Sequence, residues 1–265
     1  VRLHGPSANY GVNSRHLGED RIEAAGLNRG LYELATGSEI CTYFDEVMRH
    51  QLLPSGRVHY LPMHEYRSDG TAISLINGRE TRLQARKKVV DATVAETQVP
   101  ARTPPSFPVD SRVDLIPPNG LVNLERVVHS FVVIGAGKTA IDTVTWLLEN
   151  GADPDSLTWI RPRDAWLLNR RNVQPTYEFF DETYGWLAAN MEAAASANSV
   201  EDIFLHLEKA GCMCRIDTGI LPSMYRCAIV SEHELEQLRR VTNVVRMGHV
   251  RSISPSKVTL EQGEL

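Results

Sequence analysis

The chain has 265 residues, long enough to bury a sizeable core as one large domain or two small ones. Its 42% hydrophobic and 23% charged content is that of an ordinary globular protein, and no apolar run approaches the length of a membrane span. A net charge of −5 argues against broad binding to nucleic acid or to a membrane surface.

Residues 1–28 are irregular and rich in Gly, Ser, Asn and Arg, with Tyr10 and Val12 as scattered anchors. A helix is predicted from about Ser38, with Ile40, Phe44, Val47 and Met48 at helical spacing, stopping before Pro54-Ser-Gly56. Short strands follow at 57–61 and 63–67, then a turn at Ser68-Asp-Gly70 and a strand at 72–76. Asn77-Gly78 is the strongest hairpin signal in the chain and should join that strand to another at 80–83. Arg86-Lys-Lys88 leads into Val89-Val-Asp-Ala-Thr93, which reads as a buried strand with a polar end. Prolines at 100, 104, 105, 108, 117 and 118 make 99–119 a connector rather than a helix.

Phe131-Val-Val-Ile134 then runs straight into Gly135-Ala-Gly137-Lys-Thr-Ala140 and a helical pattern through Glu149. Asn150-Gly151 stops that helix, and a second strand is predicted at 157–160. After Arg163 the alternation lapses; 174–195, with many aromatics and Ala193-Ala-Ala195, reads as helical. Ser199 can cap a helix carrying Val200, Ile203, Phe204 and Leu207, ended by Gly211. Ser231-Glu-His-Glu234 is a capping box for a helix with Leu235 and Leu238. A strand at 243–246 and a hairpin of 248–252 with 257–260 around Pro255 close the pattern, and no internal repeat is visible.

The strand, glycine turn and helix start of 131–142 carry the chemistry. Gly135 lets the chain turn sharply out of the strand, Gly137 leaves room for a pyrophosphate, and Ala140 keeps helix and strand close. The helix N-terminus offers unpaired N–H groups and the positive end of a dipole to phosphate. The competing reading is a purely structural turn. For the choice of dinucleotide, the end of the second strand decides. NAD enzymes usually place Asp or Glu there to bind the ribose hydroxyls, whereas this chain has Arg161-Pro162-Arg163. Two guanidinium groups suit the 2′-phosphate of NADP through paired, charge-assisted hydrogen bonds. The alternative is two solvated surface arginines.

Cys41, Cys212, Cys214 and Cys227 form no CxxC pair and no Cys/His spacing typical of zinc, so no metal site is expected. Cys212-Met-Cys214 reads as two reduced thiols near a strand, and with neither an initiator Met nor a signal peptide at Val1 a cytoplasmic setting is expected.

The elements in this order resemble the flavin-dependent oxidoreductases with two dinucleotide folds, namely the flavin-containing monooxygenases and the pyridine nucleotide–disulfide oxidoreductases. Asp91-Ala-Thr-Val94 stands where those enzymes have an Ala-Thr-Gly element, with Val94 replacing the glycine. Gly135-x-Gly137-x-Thr139-Ala140-x-Asp142 looks like the monooxygenase NADPH motif. The resemblance implies an α/β fold: a Rossmann-like, three-layer NADP-binding lobe over 127–265 with a helical insertion, and a partial FAD-type lobe over 1–99 with a helix and an antiparallel β-meander. Residues 100–126 would connect them. It implies cofactor contacts from Gly135, Ala136, Gly137, Lys138, Thr139, Ala140, Arg161 and Arg163 to NADP, and from Ala92 and Thr93 to FAD. NADPH would pass hydride to the flavin, which would then meet oxygen or another acceptor.

The chain departs from the family in three ways. No FAD-type glycine motif precedes residue 28, so the sequence reads as the middle of a longer enzyme. The Phe-x-Gly-x-x-x-His signature of the monooxygenases is missing before residue 131, and there is no redox CxxC. A catalytically silent NADP-binding sensor or interaction module without FAD is therefore the second reading.

No residue must be a general acid or base, because the cofactors carry the hard chemistry. His4, in Arg2-Leu-His-Gly-Pro-Ser7, lies in a stretch that borders the flavin in the resembling enzymes, against a plain structural role. His59 and His64 fit exposed strand positions. Trp166 and Arg170 could line the adenine side of the cofactor or simply pack.

Overall fold

Helices and several small sheets build the chain, an α/β mixture with no barrel among the described residues, which are 2–12, 15–93 and 99–265 of a computed structural model. Contacts divide it into two units, 41–99 and a larger one made of 1–40 with 100–265. The first forty residues thus belong to the same unit as the glycine motif.

In the larger unit the chain opens with a small hairpin, β1 (Gly11–Val12) and β2 (Arg15–His16). Backbone contacts fold the start of the chain onto residues 31–36: Arg2 bridges Thr36, and Leu3 N–H donates to Ala35 O at 2.8 Å. Ser7 is fully buried, its Oγ accepting from Ala35 N–H at 2.6 Å. Leu31 and Tyr32 pack with Phe179, and Tyr32 N–H donates to Gln174 Oε1 at 2.9 Å. These contacts bind the N-terminal segment to residues 142 to 148 positions away.

The first helix, α1 (Gly37–Val47), runs on through a π turn at Met48–Leu52 and a 3-10 turn at Leu53–Ser55 that contains Pro54. Proline is tolerated in a first turn, where its missing N–H has no partner to lose. Gly56, at φ +66°, ends the run. The buried residues of α1 are Tyr43 and Val47, while Phe44, expected on the apolar face, is exposed.

In the smaller unit β3 (His64–Tyr66), β4 (Thr71–Ser74) and β5 (Glu80–Arg82) form an antiparallel meander. Gly78 adopts φ +70° and its N–H donates to Ser74 O at 2.9 Å, closing the hairpin where Asn77-Gly78 placed it. Two predicted strands do not form. Residues 57–61 are irregular, and so are 89–93, with Val89 and Val90 exposed to 60% and 80%. No described strand pairs with 89–93, and an unpaired extended segment leaves its N–H and C=O groups to water. Val94 lies outside the described residues.

Back in the larger unit, β6 (Phe131–Ile134), α2 (Lys138–Glu149) and β7 (Leu157–Ile160) follow one another. Gly151, at φ +90°, donates its N–H to Leu148 O at 3.1 Å and ends α2. Next come β8 (Ala165–Asn169), α3 (Phe180–Ser196), α4 (Val200–Lys209), β9 (Met213–Cys214), β10 (Met224–Val230) and α5 (Glu232–Leu238). The last strands are β11 (Val244–Val245), β12 (Val250–Ser254), β13 (Lys257–Leu260) and β14 (Gly263–Glu264). Ser199 caps α4 and the capping box at Ser231 opens α5, as their spacing requires.

Besides the β1-β2 hairpin, three three-stranded sheets organise this unit among the described residues. β6 and β7 pair in parallel and β11 pairs in parallel on the far side of β7, giving the order β11-β7-β6. β8 lies between β10, parallel, and β9, antiparallel; this sheet was not visible in the sequence. β12, β13 and β14 form an antiparallel sheet. Part of the proline-rich stretch packs as well as connects: Val109 bridges Ile253, and Ile253 N–H donates to Pro108 O at 3.1 Å.

The sheet β11-β7-β6 is covered on both faces. Ile141, Val144 and Leu148 of α2 pack with Val133, Trp159 and Leu238 on one side. On the other, Ile160 packs with Val250, Ile253 and Val258, helped by Phe107 and Val109. Alternation along each strand sends successive side chains to opposite faces, which is why Trp159 and Ile160 belong to different cores.

Candidate functional site

The glycine turn sits between the end of β6 and the start of α2. Gly135 has φ +124°, a conformation side-chain-bearing residues rarely adopt. Its N–H donates to Ile160 O at 2.9 Å and its carbonyl accepts from Trp159 Nε1 at 2.8 Å, so β7 holds the turn from both sides. A Cβ on Gly135 would stand 3.5 Å from the Ala140 Cβ, an ordinary contact. Conformation, rather than space, makes glycine necessary there.

Gly137 is different. It is the N-cap of α2 with ordinary extended torsions, φ −86° and ψ 176°, and a Cβ built on it would meet nothing within 4 Å. No side chain caps this helix start. Gly137 thus stands at the positive end of the α2 dipole, with room beside its Cα, while the Ala140 N–H is already taken by Gly137 O at 3.0 Å. Ala136 is half-buried, Thr139 is exposed, and Ala140 is buried against the strand.

Lys138 does not extend over the turn. Its Nζ lies 2.6 Å from Asp142 Oδ1 and 3.9 Å from Glu234 Oε1, and the side chain is largely buried. His4 Nε2 stands 3.3 Å from the other oxygen of Asp142. Burial acts to raise the Asp142 carboxyl, but the His4 hydrogen bond and the Lys138 ammonium outweigh it and hold the group below the usual carboxylate range. Arg170, almost fully buried, puts Nη2 2.8 Å from Glu234 Oε2, while its Nε donates to His4 O at 2.9 Å and its Nη1 to Asn28 Oδ1 at 3.2 Å. Glu234 also accepts from Ser231 N–H at 2.7 Å to complete its capping box. One network thus ties the N-terminal segment to the first turn of α2. Arg170 is a structural member of it, and Trp166 is a core residue stacked on Phe204 with centroids 5.4 Å apart.

The two arginines after β7 part company. Arg163 is exposed. Arg161 is 2% exposed, with Nη2 3.2 Å from Asp164 Oδ1 and its Cζ 4.8 Å from the centre of the Trp159 ring. Burial pulls the Arg161 guanidinium below its ordinary value, against the opposing pull of Asp164. Arg246 joins from the end of β11, with Nε 2.7 Å from Asp164 Oδ2 and Nη2 2.9 Å from Asp217 Oδ2. The two guanidinium groups expected together at a 2′-phosphate are thus placed differently: Arg163 is exposed, and Arg161 is buried at the end of β7.

Ala92 and Thr93 belong to the smaller unit, are exposed and lie outside any strand. Thr93 N–H and Oγ1 both donate to Asp91 Oδ1, at 2.8 and 2.6 Å, forming a local Asx turn instead of a strand end. Sequence reasoning missed Trp159, Asp164, Arg246 and the role of Glu234 beyond its cap. Only the capping-box spacing gave any signal, and it named Glu234 alone.

Proteins of Mycobacterium tuberculosis and Mycobacterium bovis, each named only as uncharacterized, are 49% identical to the chain over 268 positions, covering 100% of it and 49% of each relative. The chain thus spans about half the length of the curated relatives it matches. No family model matches the chain, and no solved structure matches it. Among the described residues no helix is long and apolar enough to cross a membrane, and no cluster of His, Cys, Asp and Glu could hold a metal ion. All four cysteines are free, and burial pushes the Cys214 thiol up to about 11, where it is not a nucleophile at neutral pH.

Proposed function

We propose that the larger unit is a Rossmann-like NADP(H)-binding lobe and that the protein acts as the NADP(H)-binding part of a flavin-dependent oxidoreductase. The observation that carries this reading is the uncapped start of α2, with open space at Gly137, directly after a parallel strand. A pyrophosphate suits such a place because backbone N–H groups and the helix dipole converge on a helix start, and a Cβ on Gly137 would meet nothing within 4 Å. Arg163 would take the 2′-phosphate, and Arg161 would support the strand end from within. Lys138, engaged by Asp142 and Glu234, would fix the first helical turn without touching phosphate.

Bound NADPH supplies a hydride; the chain's own part is to hold the nucleotide and keep the turn rigid through Trp159. The flavin half of the proposal rests on the resemblance. Ala92 and Thr93 are exposed and lie outside any strand. The same observation favours a second reading, a nucleotide-binding module that works without FAD. Titration calorimetry with NADPH and NADH, together with the visible spectrum of the purified protein, separates the two. NADPH binding with a flavin spectrum supports the oxidoreductase, NADPH binding by a colourless protein supports the module, and no NADPH binding refutes both.

A further inference from the structure

Beside the sheet β11-β7-β6 lies a cavity of about 450 Å³, separate from the glycine turn. Its floor follows from strand register. Val244 pairs with Trp159, and Arg161 N–H donates to Val245 O at 2.9 Å, so Thr242, Val244 and Arg246 alternate onto one face beside Arg161. The walls come from the segment after α5, with Arg239, and from the loop carrying Asp217 and Thr218. Arg239 fastens that loop by donating from Nε to Ile216 O at 3.0 Å and from Nη2 to Arg215 O at 2.9 Å.

The charges do not balance. Arg161, Arg239 and Arg246 line the cavity; Asp164 pairs with Arg161 and Arg246 and Asp217 with Arg246, while Arg239, which is exposed, donates to backbone carbonyls. One positive charge is left over. Separately, Arg161, 2% exposed and paired with Asp164 through Nη2, has an Nε and an Nη1 with no hydrogen-bond partner among the described residues. A buried guanidinium with unmet donors is costly unless something answers it. Its stacking on Trp159 offsets part of that cost and supplies no acceptor. Ile216, Val241 and Val244 give the same cavity an apolar side.

From this cavity, its surplus charge and the unmet donors of Arg161, we infer a second ligand site, for a small organic carboxylate whose head meets the arginines and whose body lies on the apolar side. A volume of this size suits a small molecule rather than a bare inorganic ion. A monoanion would cancel the surplus. None of the cavity's lining residues belongs to the glycine turn, and Arg161 is the one residue the site shares with the nucleotide proposal.

Benzoate and its neutral isostere benzamide are the probes, measured by calorimetry and thermal shift at matched chloride. Benzoate should bind saturably and benzamide at least tenfold more weakly. Arg161→Met keeps much of the volume and removes the charge, and should weaken benzoate at least tenfold. Val244→Phe fills the cavity and should do the same, which decides the matter if Arg161→Met fails to fold. Gly137→Val should leave benzoate binding unchanged even where NADPH binding is lost. Equal binding of the two probes, or wild-type affinity in Val244→Phe, would overturn the inference. So would displacement of benzoate by NADP⁺, which would make the cavity part of the nucleotide site.

Discussion

Replacing Gly137 by valine separates a ligand-binding loop from a merely structural turn. The residue has φ −86° and ψ 176°, and a Cβ there meets nothing within 4 Å, so the protein has room for the side chain. Glycine is a better N-cap than valine, at a cost of about 0.5–1 kcal/mol on replacement. The stiffer unfolded chain returns about 0.4–1 kcal/mol. Stability should therefore stay within about 1 kcal/mol of wild type. Binding should not survive, because the new methyl groups occupy the open space over the helix start. Losing two N–H contacts to charged phosphate oxygens, at about 1.5–3 kcal/mol each, weakens NADPH by roughly two to four powers of ten. Gly135→Ala should do the reverse. Its φ of +124° is strained for alanine, at about 1–3 kcal/mol, and it should lower the melting temperature before it alters nucleotide contacts. Calorimetry with NADPH and urea denaturation of both variants give the two readings. Unchanged NADPH affinity in Gly137→Val would show that the turn only joins strand to helix.

Arg163→Ala should weaken NADPH by about 1.5–3 kcal/mol and leave NADH nearly unaltered, whereas Arg161→Ala should lower stability and affect both nucleotides alike; a two-by-two comparison by calorimetry checks this, and an equal loss of both nucleotides in Arg163→Ala would dismiss its phosphate role. Trp159→Phe leaves the Gly135 carbonyl without its 2.8 Å donor and should cost about 1–3 kcal/mol in urea denaturation, a reading that an unchanged midpoint would exclude. Asp142 is held below its ordinary value in the folded protein, so its stabilising contribution is present above the unfolded pKa of about 3.9 and is lost as pH falls through the lowered folded value. Asp142→Asn should accordingly be less stable than wild type at pH 6 and draw level with it in strong acid; a gap that does not change with pH would count against the network with His4 and Lys138.

Local chemistry was legible wherever one residue's own torsions or its near neighbours decide the outcome. Gly151 stops α2 because it can take φ +90°, Ser199 and Ser231 open helices by accepting from N–H groups three residues ahead, and Gly78 turns the hairpin at φ +70°. The apolar run 131–134 followed by Gly135 is a strand and a sharp turn for the same reason. At 89–93 local pattern misled: two valines favour a strand, but a strand also needs an edge to pair with, and no described residue supplies one. At 165–169 and 224–230 the reverse holds, for the two segments form a parallel pair across nearly sixty residues.

The sequence by itself determined the order of strand, glycine turn and helix, and the demand for glycine where the backbone turns left-handed, because those depend on bond rotation and on hydrogen bonds a few residues long. It could not say which of Arg161 and Arg163 faces water. That depends on Asp164, on Trp159 beneath it, and on Arg246 arriving 85 positions later at the end of the neighbouring strand. Nor could it show that Lys138 turns toward Asp142 and Glu234, or that His4 and Asn28 are bound to Arg170. A charged side chain settles where its opposite charge is brought to it, and only the tertiary structure decides which charges meet.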